Sequence, residues 1–319
     1  MKVHTLNIDS SQRQSNLYTN PNDYTVTLDN PIYDVSQIKL VSARIPTSQL
    51  LICETNQSFE YEQGGVTYGA TIPSGNYTGT TLAATFNSNW NISYNATRNS
   101  FGMGSPVGGD ITFKFKTGPG GYDDVNSTNT TIHQILGLPA EDISMPGTQF
   151  GAANFKGPNS LVLRISSGSE KMNQSVFVSE HYYTGHILLD GTDFINVMGS
   201  DDKVTHDFHS GSLKHIKDLR IEFFYMSHGR LIPYDFRNQD HVLKFEIKCS
   251  TDKLEGLTKV PLDKFLKKEK KKEKVKNLGS EILYNQEVYI YIGIIAFFGI
   301  VLMFLMKGGS KAPPVPPPT

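Results

Sequence analysis

Asp110-Ile111-Thr112-Phe113-Lys114-Phe115-Lys116 alternates apolar and polar side chains along its length. A period of two marks a strand with one face in a core, so Ile111, Phe113 and Phe115 point inward and Thr112, Lys114 and Lys116 outward. The same reading extends in both directions. Toward the N-terminus, Phe59–Glu62 and Val66–Tyr68 flank Gly64-Gly65 as a hairpin. Lys2–Ile8 is a first strand, and Tyr24, Val26 and Leu28 share one face of YTVTL. A turn before Pro31 separates that strand from Ile38–Ile45, which Pro46 ends. Toward the C-terminus, Leu161, Leu163 and Ile165 alternate with Val162 and Arg164. Ser175–Glu180, Gly185–Asp190 and Leu219–Tyr225 follow, then HVLKFEIKC, where Leu243, Phe245 and Ile247 face one way. Two short helices interrupt the pattern. One follows IPSGNYT and places Leu82 and Phe86 on one face; the other, Ile132–Leu136, stops at Gly137. Short strands with Gly, Pro and Asn turns, and no βαβ rhythm, predict a mainly β fold. Its form is an antiparallel β-sandwich, jelly-roll-like, with short helical insertions and about eight strands. This body covers residues 1–254; two sub-sandwiches splitting near 155 are the alternative.

The chain after the body changes character. Val288–Met306 reads VYIYIGIIAFFGIVLMFLM, without charge or proline. About 20 such residues, rising 1.5 Å each, span a bilayer core. We expect a C-terminal transmembrane α-helix over 288–306, with Val288, Ile294, Ala296, Phe298 and Met306 as anchor residues. The alternative is a helix buried in an oligomer. A Lys-rich juxtamembrane linker, 255–287, precedes it. Lys264, Lys267, Lys268, Lys270, Lys271, Lys272, Lys274 and Lys276 make its basic run, against Lys307 and Lys311 in the Pro-rich tail, 307–319. The positive-inside rule then holds the body on the cytoplasmic side. MKVHTLNIDSS has no apolar h-region, so no secretory signal is expected, and insertion follows translation as in a tail-anchored protein. The eight lysines are candidates for contact with anionic headgroups, at about 1 kcal/mol each near the surface; a solvated topology signal is the alternative.

Charge is unevenly divided. Residues 261–319 hold ten Lys against five acids, leaving twenty basic and twenty-six acidic residues before them, a formal −6. A body of that sign is ill suited to a DNA backbone, and no direct nucleic-acid contact is expected. Cys53 and Cys249 are the two cysteines, too few for a disulfide framework or a CxxC site. Sequons begin at Asn56, Asn76, Asn91, Asn95, Asn126, Asn129 and Asn173; without a signal peptide they read as products of Asn-rich turns.

Reactive motifs are sparse. Neither GxSxG nor GxxxxGK[ST] occurs, and Gly102-Met103-Gly104 with Gly108-Gly109 has the wrong spacing for a nucleotide loop; it reads as a hairpin tip. His206-Asp207-Phe208-His209 could hold zinc if helical, but its flanks read as loop. His181 and His186, around Tyr182-Tyr183, read as surface or interface residues. Asp123-Asp124 and Asp201-Asp202 offer too few oxygens for calcium. We expect no enzyme, no cofactor and no metal.

The ordered motifs point elsewhere. NIDSSQR, Asn20 to Leu28 (NPNDYTVTL), IKLVSARIP, IPSGNYT, Ile135-Leu136-Gly137-Leu138 and PYDFRNQDHVLKFEI together span most of residues 1–250. This series resembles minor capsid proteins of large icosahedral nucleocytoplasmic double-stranded DNA viruses, chlorovirus-like, with an internal membrane. The resemblance implies a structural virion protein, located between capsid shell and internal membrane and tethering one to the other. Its implied partners are the major capsid protein, other minor capsid proteins and the lipid bilayer. A membrane-anchored, lectin-like recognition or attachment protein is the alternative.

Overall fold

The computed structural model describes residues 1–124, 126–175, 181–199, 204–208, 214–250 and 288–304. The chain divides into two compact units, Met1–Leu257 and Thr258–Thr319. In the first, the strands are β1 (Lys2–Asp9), β2 (Asp23–Pro46), β3 (Ser58–Gln63), β4 (Val66–Thr71), β5 (Ile92–Asn95), β6 (Ser100–Met103), β7 (Ile111–Lys114) and β8 (Asp142–Met145). They continue as β9 (Ser160–Ser167), β10 (Glu170–Lys171), β11 (Gly185–Leu188), β12 (Phe194–Met198), β13 (Thr205–Asp207), β14 (Lys214–Ser227), β15 (Arg230–Pro233) and β16 (Val242–Cys249). Helix α1 (Gly79–Trp90) precedes β5 and α2 (His133–Leu136) precedes β8. The fold is mainly β, every described ladder is antiparallel, and helices are few.

Two cores organise this unit. The larger belongs to a ten-stranded sheet ordered β1-β16-β2-β14-β9-β10, with β11, β12, β13 and β15 attached to β9, β2, β2 and β14. Its interior includes Tyr24, Ile38, Leu40, Leu163, Ile221, Phe223, Phe236 and Phe245. The second is built from residues between β2 and β9: a four-stranded sheet ordered β4-β3-β7-β8, the β5–β6 hairpin and both helices. Phe59, Trp90, Phe113 and Phe115 meet at its centre, with ring centroids 5.3 to 5.8 Å apart. The alternation of 110–116 is therefore read correctly: Ile111, Phe113 and Phe115 are buried.

The turn expected before Pro31 does not break the strand. β2 runs continuously for 24 residues. Its first half pairs with β14 and its second with β16, β12 and β13. Pro31 falls where the β14 ladder shifts register, between the Ile32↔Ile216 and Thr27↔Asp218 pairs, so its missing N–H costs no ladder bond. A second shift, between Lys244 and Phe245, leaves Val41 without a partner on β16. This extra residue moves the inward face from Ile38 and Leu40 to Ala43 and Ile45.

Helix α1 follows from its ends and its spacing. Thr78 accepts from Thr81 N–H, and Thr81 Oγ1 accepts from Thr78 N–H, closing a capping box. Leu82, Phe86 and Trp90 recur every four residues on the buried face. Asn91, left-handed at φ 51°, ends the helix. Gly137 stops α2 at φ 73° and donates to the Gln134 carbonyl.

In the second unit, residues 288–304 form a helix with exposed side chains. No helix among the described residues is long and apolar enough to cross a membrane.

Candidate functional site

Two of the motifs that carry the family resemblance, NIDSSQR and PYDFRNQDHVLKFEI, meet in space. β1 delivers Asp9 to a 3-10 turn, Ser10–Gln12, which Asp9 caps by accepting from Ser11 N–H at 2.9 Å. Hydrogen bonding from Ser11, by its side chain first and its backbone N–H second, holds the Asp9 carboxyl below its ordinary pKa. β16 pairs with β1 and brings Asp240-His241 to the same end. Ser10 N–H donates to the His241 carbonyl at 3.0 Å, and His241 N–H donates to Ser10 Oγ at 2.9 Å. Ser10 Oγ donates onward to Asp240 Oδ1 at 2.8 Å. Arg13 joins the two, donating to Asp240 Oδ1 at 2.7 Å, to the Ser10 carbonyl at 2.8 Å and to the Tyr18 carbonyl at 3.2 Å.

A serine, a histidine and an aspartate in contact invite a catalytic reading, and the geometry refuses it. The His241 ring does not address Ser10; only its backbone does. Its Nε2 lies 2.9 Å from Tyr24 Oη, and its Nδ1 is buried without a hydrogen-bond partner. A general base must reach its nucleophile through a ring nitrogen. The ring instead fills a box of Phe223, Phe236 and Tyr24, at centroid distances of 4.8, 5.0 and 5.5 Å. Burial lowers the His241 pKa to about 4 and raises the Tyr24 hydroxyl well above its usual value, so both are neutral at pH 7. The constellation is a clasp that fastens the N-terminal segment to the last strand.

Arg13 is its keystone, with a side chain only 10% exposed. Arg13→Ala should cost about 1–3 kcal/mol, because it strips a charge-assisted donor from Asp240 and from two carbonyls. Arg13→Lys should recover little of this, since one ammonium cannot reproduce the guanidinium fork. Urea unfolding of the two variants beside the parent chain measures both effects.

A second polar cluster joins the two cores. The β14–β15 turn carries Ser227, His228 and Arg230 against the segment before α2. Arg230 is 5% exposed and donates to the carbonyls of Gly120, Gly121 and Asn129, with its guanidinium 4.8 Å from the Tyr122 ring centre. Tyr122 Oη contacts Ser227 Oγ at 3.0 Å and also Thr130 Oγ1. His133 Nε2 lies 3.0 Å from His228 Nε2, and His133 Nδ1 lies 2.9 Å from Thr131 Oγ1. One proton serves the imidazole pair, so one ring must present a lone pair. Burial first, and the neighbouring His228 second, push His133 down to about 4.

The remaining sequence candidates scatter. His206 lies in β13, not in a loop, because Thr205–Asp207 pair with Gln37–Lys39; its ring packs edge-on to Phe208 at 4.7 Å. His209, Asp201 and Asp202 lie outside the described residues. His186 packs edge-on to Tyr183 at 4.4 Å. Gly102 and Met103 form no hairpin tip: they pair with Ser93 and Ile92, and the turn falls between Asn95 and Ser100. Gly108 and Gly109 do form a turn, at φ 95° and 100°, held by Gln63 donating to the carbonyls of Val107 and Gly109. Among the described residues no three His, Cys, Asp or Glu side chains gather as metal ligands. Asn56 is buried with both amide atoms engaged, by Cys53 N–H and the Leu51 carbonyl, which leaves no room for a glycan in the folded body.

Two cavities flank Gly157–Asn159. One, of about 230 Å³, is lined by Asn56, Thr130, Gln134 and Tyr225; the other, of about 320 Å³, by Asn76, Lys156, Asp190 and Tyr234. In the second, Thr192 Oγ1 and Thr192 N–H both donate to Asp190 Oδ1, at 2.6 and 3.0 Å. Of the expected anchor residues, Val288, Ile294, Ala296 and Phe298 lie on the 288–304 helix. Met306 and all eight lysines lie outside the described residues.

Comparison with known proteins adds a family. A family model, described as a family of unknown function (DUF5901), matches residues 2–178, more than half of the chain. The match takes in NIDSSQR and the whole second core; Asp240 and His241 lie beyond it. No curated protein matches the chain. Among solved structures, the chain is similar to a crystal structure of the SeMet-labelled mavirus penton protein, at 9% identity and a TM-score of 0.37, over 78% of this chain and 100% of that one.

Proposed function

The chain belongs to the DUF5901 family, whose function is unknown, and from that premise we propose that it is a structural protein of a virus particle. Its role is that of a minor capsid component tethering an icosahedral shell to an internal membrane. The observation that carries this reading is the use made of the resembling motifs. Their reactive side chains, Ser10, Arg13, Asp240 and His241, are spent on joining strands and not on facing a cavity. With these groups spent on the fold, we read the body as serving by shape and by its surfaces. The order of its motifs, which resembles that of membrane-associated minor capsid proteins, supplies the setting, and we take the body as jelly-roll-like on the same ground.

The tether belongs to the proposal as well. Its support is the uncharged run Val288–Met306 and the basic run before it. In this scheme the body lies between shell and membrane, with the lysines against anionic headgroups and other capsid proteins as partners. Ala296→Arg puts a charge near the centre of the run, at about 2.5–3.5 kcal/mol on insertion scales. The parent chain should stay with membranes through carbonate extraction and the variant should move to the soluble fraction. Release of the parent chain by carbonate would remove the anchor from the scheme. Cross-linking mass spectrometry of purified particles tests the rest. Links from the body to shell proteins are expected; absence of the chain from particles refutes the virion role.

A further inference from the structure

We propose that the open edge of β4 pairs with β4 of a second copy of this chain, antiparallel, about a two-fold axis at Gly69. The phase of the β3–β4 ladder is the starting point. The register runs from Ser58↔Thr71 to Gln63↔Val66, and Ile72 N–H donates to the Gln57 carbonyl at 2.9 Å. Antiparallel pairs alternate between hydrogen-bonded and non-bonded. Ile72, Ala70, Tyr68 and Val66 therefore turn their backbone groups toward β3, and Thr67, Gly69 and Thr71 turn theirs away. No backbone bond to another described residue takes up these outward groups. The edge lies open: Thr67, Gly69 and Thr71 are exposed, as are Val66 and Tyr68.

Three features select a second copy as the occupant. Thr67-Tyr68-Gly69-Ala70-Thr71 is nearly palindromic about Gly69. In the two-fold pairing Thr67 faces Thr71 of the copy, Gly69 faces itself, and the large Tyr68 faces the small Ala70. All outward N–H and C=O groups then find partners, and the four-stranded sheet becomes eight-stranded. The second feature is charge. Val66–Thr71 carries none, so a copy meets no like charge, whereas Lys2 and Asp9 mark β1, Asp142 marks β8, and Glu170 and Lys171 form β10. Charges guard an edge against pairing, and β4 has no such guard. The third is Gly69 itself. A Cβ there would meet nothing within 4 Å, and its φ is not positive, so nothing inside the chain requires glycine. Glycine within a strand costs stability and marks close approach of another backbone. At the two-fold axis that backbone is its own copy's.

The contact does not depend on the membrane reading, and the full chain in a mild non-ionic detergent tests it. Gly69→Cys places two thiols on the axis, with Cα atoms about 5.5 Å apart, within disulfide reach. Mild oxidation should convert most of that variant to a covalent dimer. Thr5→Cys, on the exposed face of β1, should not cross-link, and Cys53 and Cys249 are buried and silent. Gly69→Pro removes an outward N–H and fixes φ, a change an edge strand accepts, so β3–β4 pairing survives while self-association weakens by about tenfold or more. No excess cross-linking of Gly69→Cys over Thr5→Cys, or equal self-association of Gly69→Pro and the parent chain, overturns the proposal.

Discussion

Acidification from pH 7 to pH 4 should destabilise the body by several kcal/mol, with the slope beginning near pH 6.5. Two histidines carry the effect. His133 and His241 are both held near pKa 4 by burial, against about 6.5 in an unfolded chain. Between those values the unfolded state binds more protons than the folded one, so stability falls as pH falls through 6.5 and the loss is complete below about 4. At about 1.4 kcal/mol per pH unit the bound is about 3 kcal/mol for each, comparable in sum with the whole stability of a typical domain. The groups around them divide. His228 lowers His133 further, against a backbone bond from Thr131; Asp240 and Asp9 raise His241 and Arg13 lowers it, and burial outweighs them. Asp142, lowered despite partial burial by bonds from Thr117 and Lys116, adds a further loss at lower pH. Glu222 acts the other way: burial raises its pKa, so its protonation favours the folded state. Thermal melts of a chain ended at Leu257, at pH 7.5, 5.5 and 4.0, should show Tm falling across the series. The double variant His133→Gln, His241→Gln should be less stable at pH 7.5 and flatter below it. An equal pH slope in parent and variant would show that the histidines are not the cause.

Phe223→Ala should cost about 3–5 kcal/mol, the largest single effect expected from a side chain in the main sheet. Phe223 is fully buried on β14, which sits between β2 and β9, and its ring stands edge-on to Phe236 at 5.2 Å and to His241 at 4.8 Å. Removing it opens a cavity inside the box that holds the His241 ring, where well-paired strands on either side restrict collapse. Phe113→Ala should cost a similar amount in the second core, where Phe113 is buried against Phe59, Trp90 and Phe115. Hydrogen exchange separates the two. Phe113→Ala should loosen protection in β3, β7 and β8 before β2 and β16, and Phe223→Ala should do the reverse. Uniform loosening by both would mean that the two cores open as one.

Local pattern was legible wherever one strand face meets a core without irregularity. The 110–116 alternation, the Leu82–Phe86 spacing and the Gly137 stop each depend on a few neighbouring residues. The sequence by itself also determined that the chain is mainly β, because composition and period need no partner. Its uncharged C-terminal run and lysines remain a statement of sequence alone. Tertiary structure decided the rest. A period of two cannot say which strand pairs with which, so the continuity of β2 through Pro31 and the bulge at Val41 came only with β14 and β16 in place. Residues 10 and 241 are far apart in the chain, and no local rule joins them; the antiparallel β1–β16 ladder does. The insertion of a whole second core between β2 and β9 was hidden for the same reason. Burial, which sets both histidine pKa values, is a property of everything packed around a residue and not of the residue's neighbours in sequence.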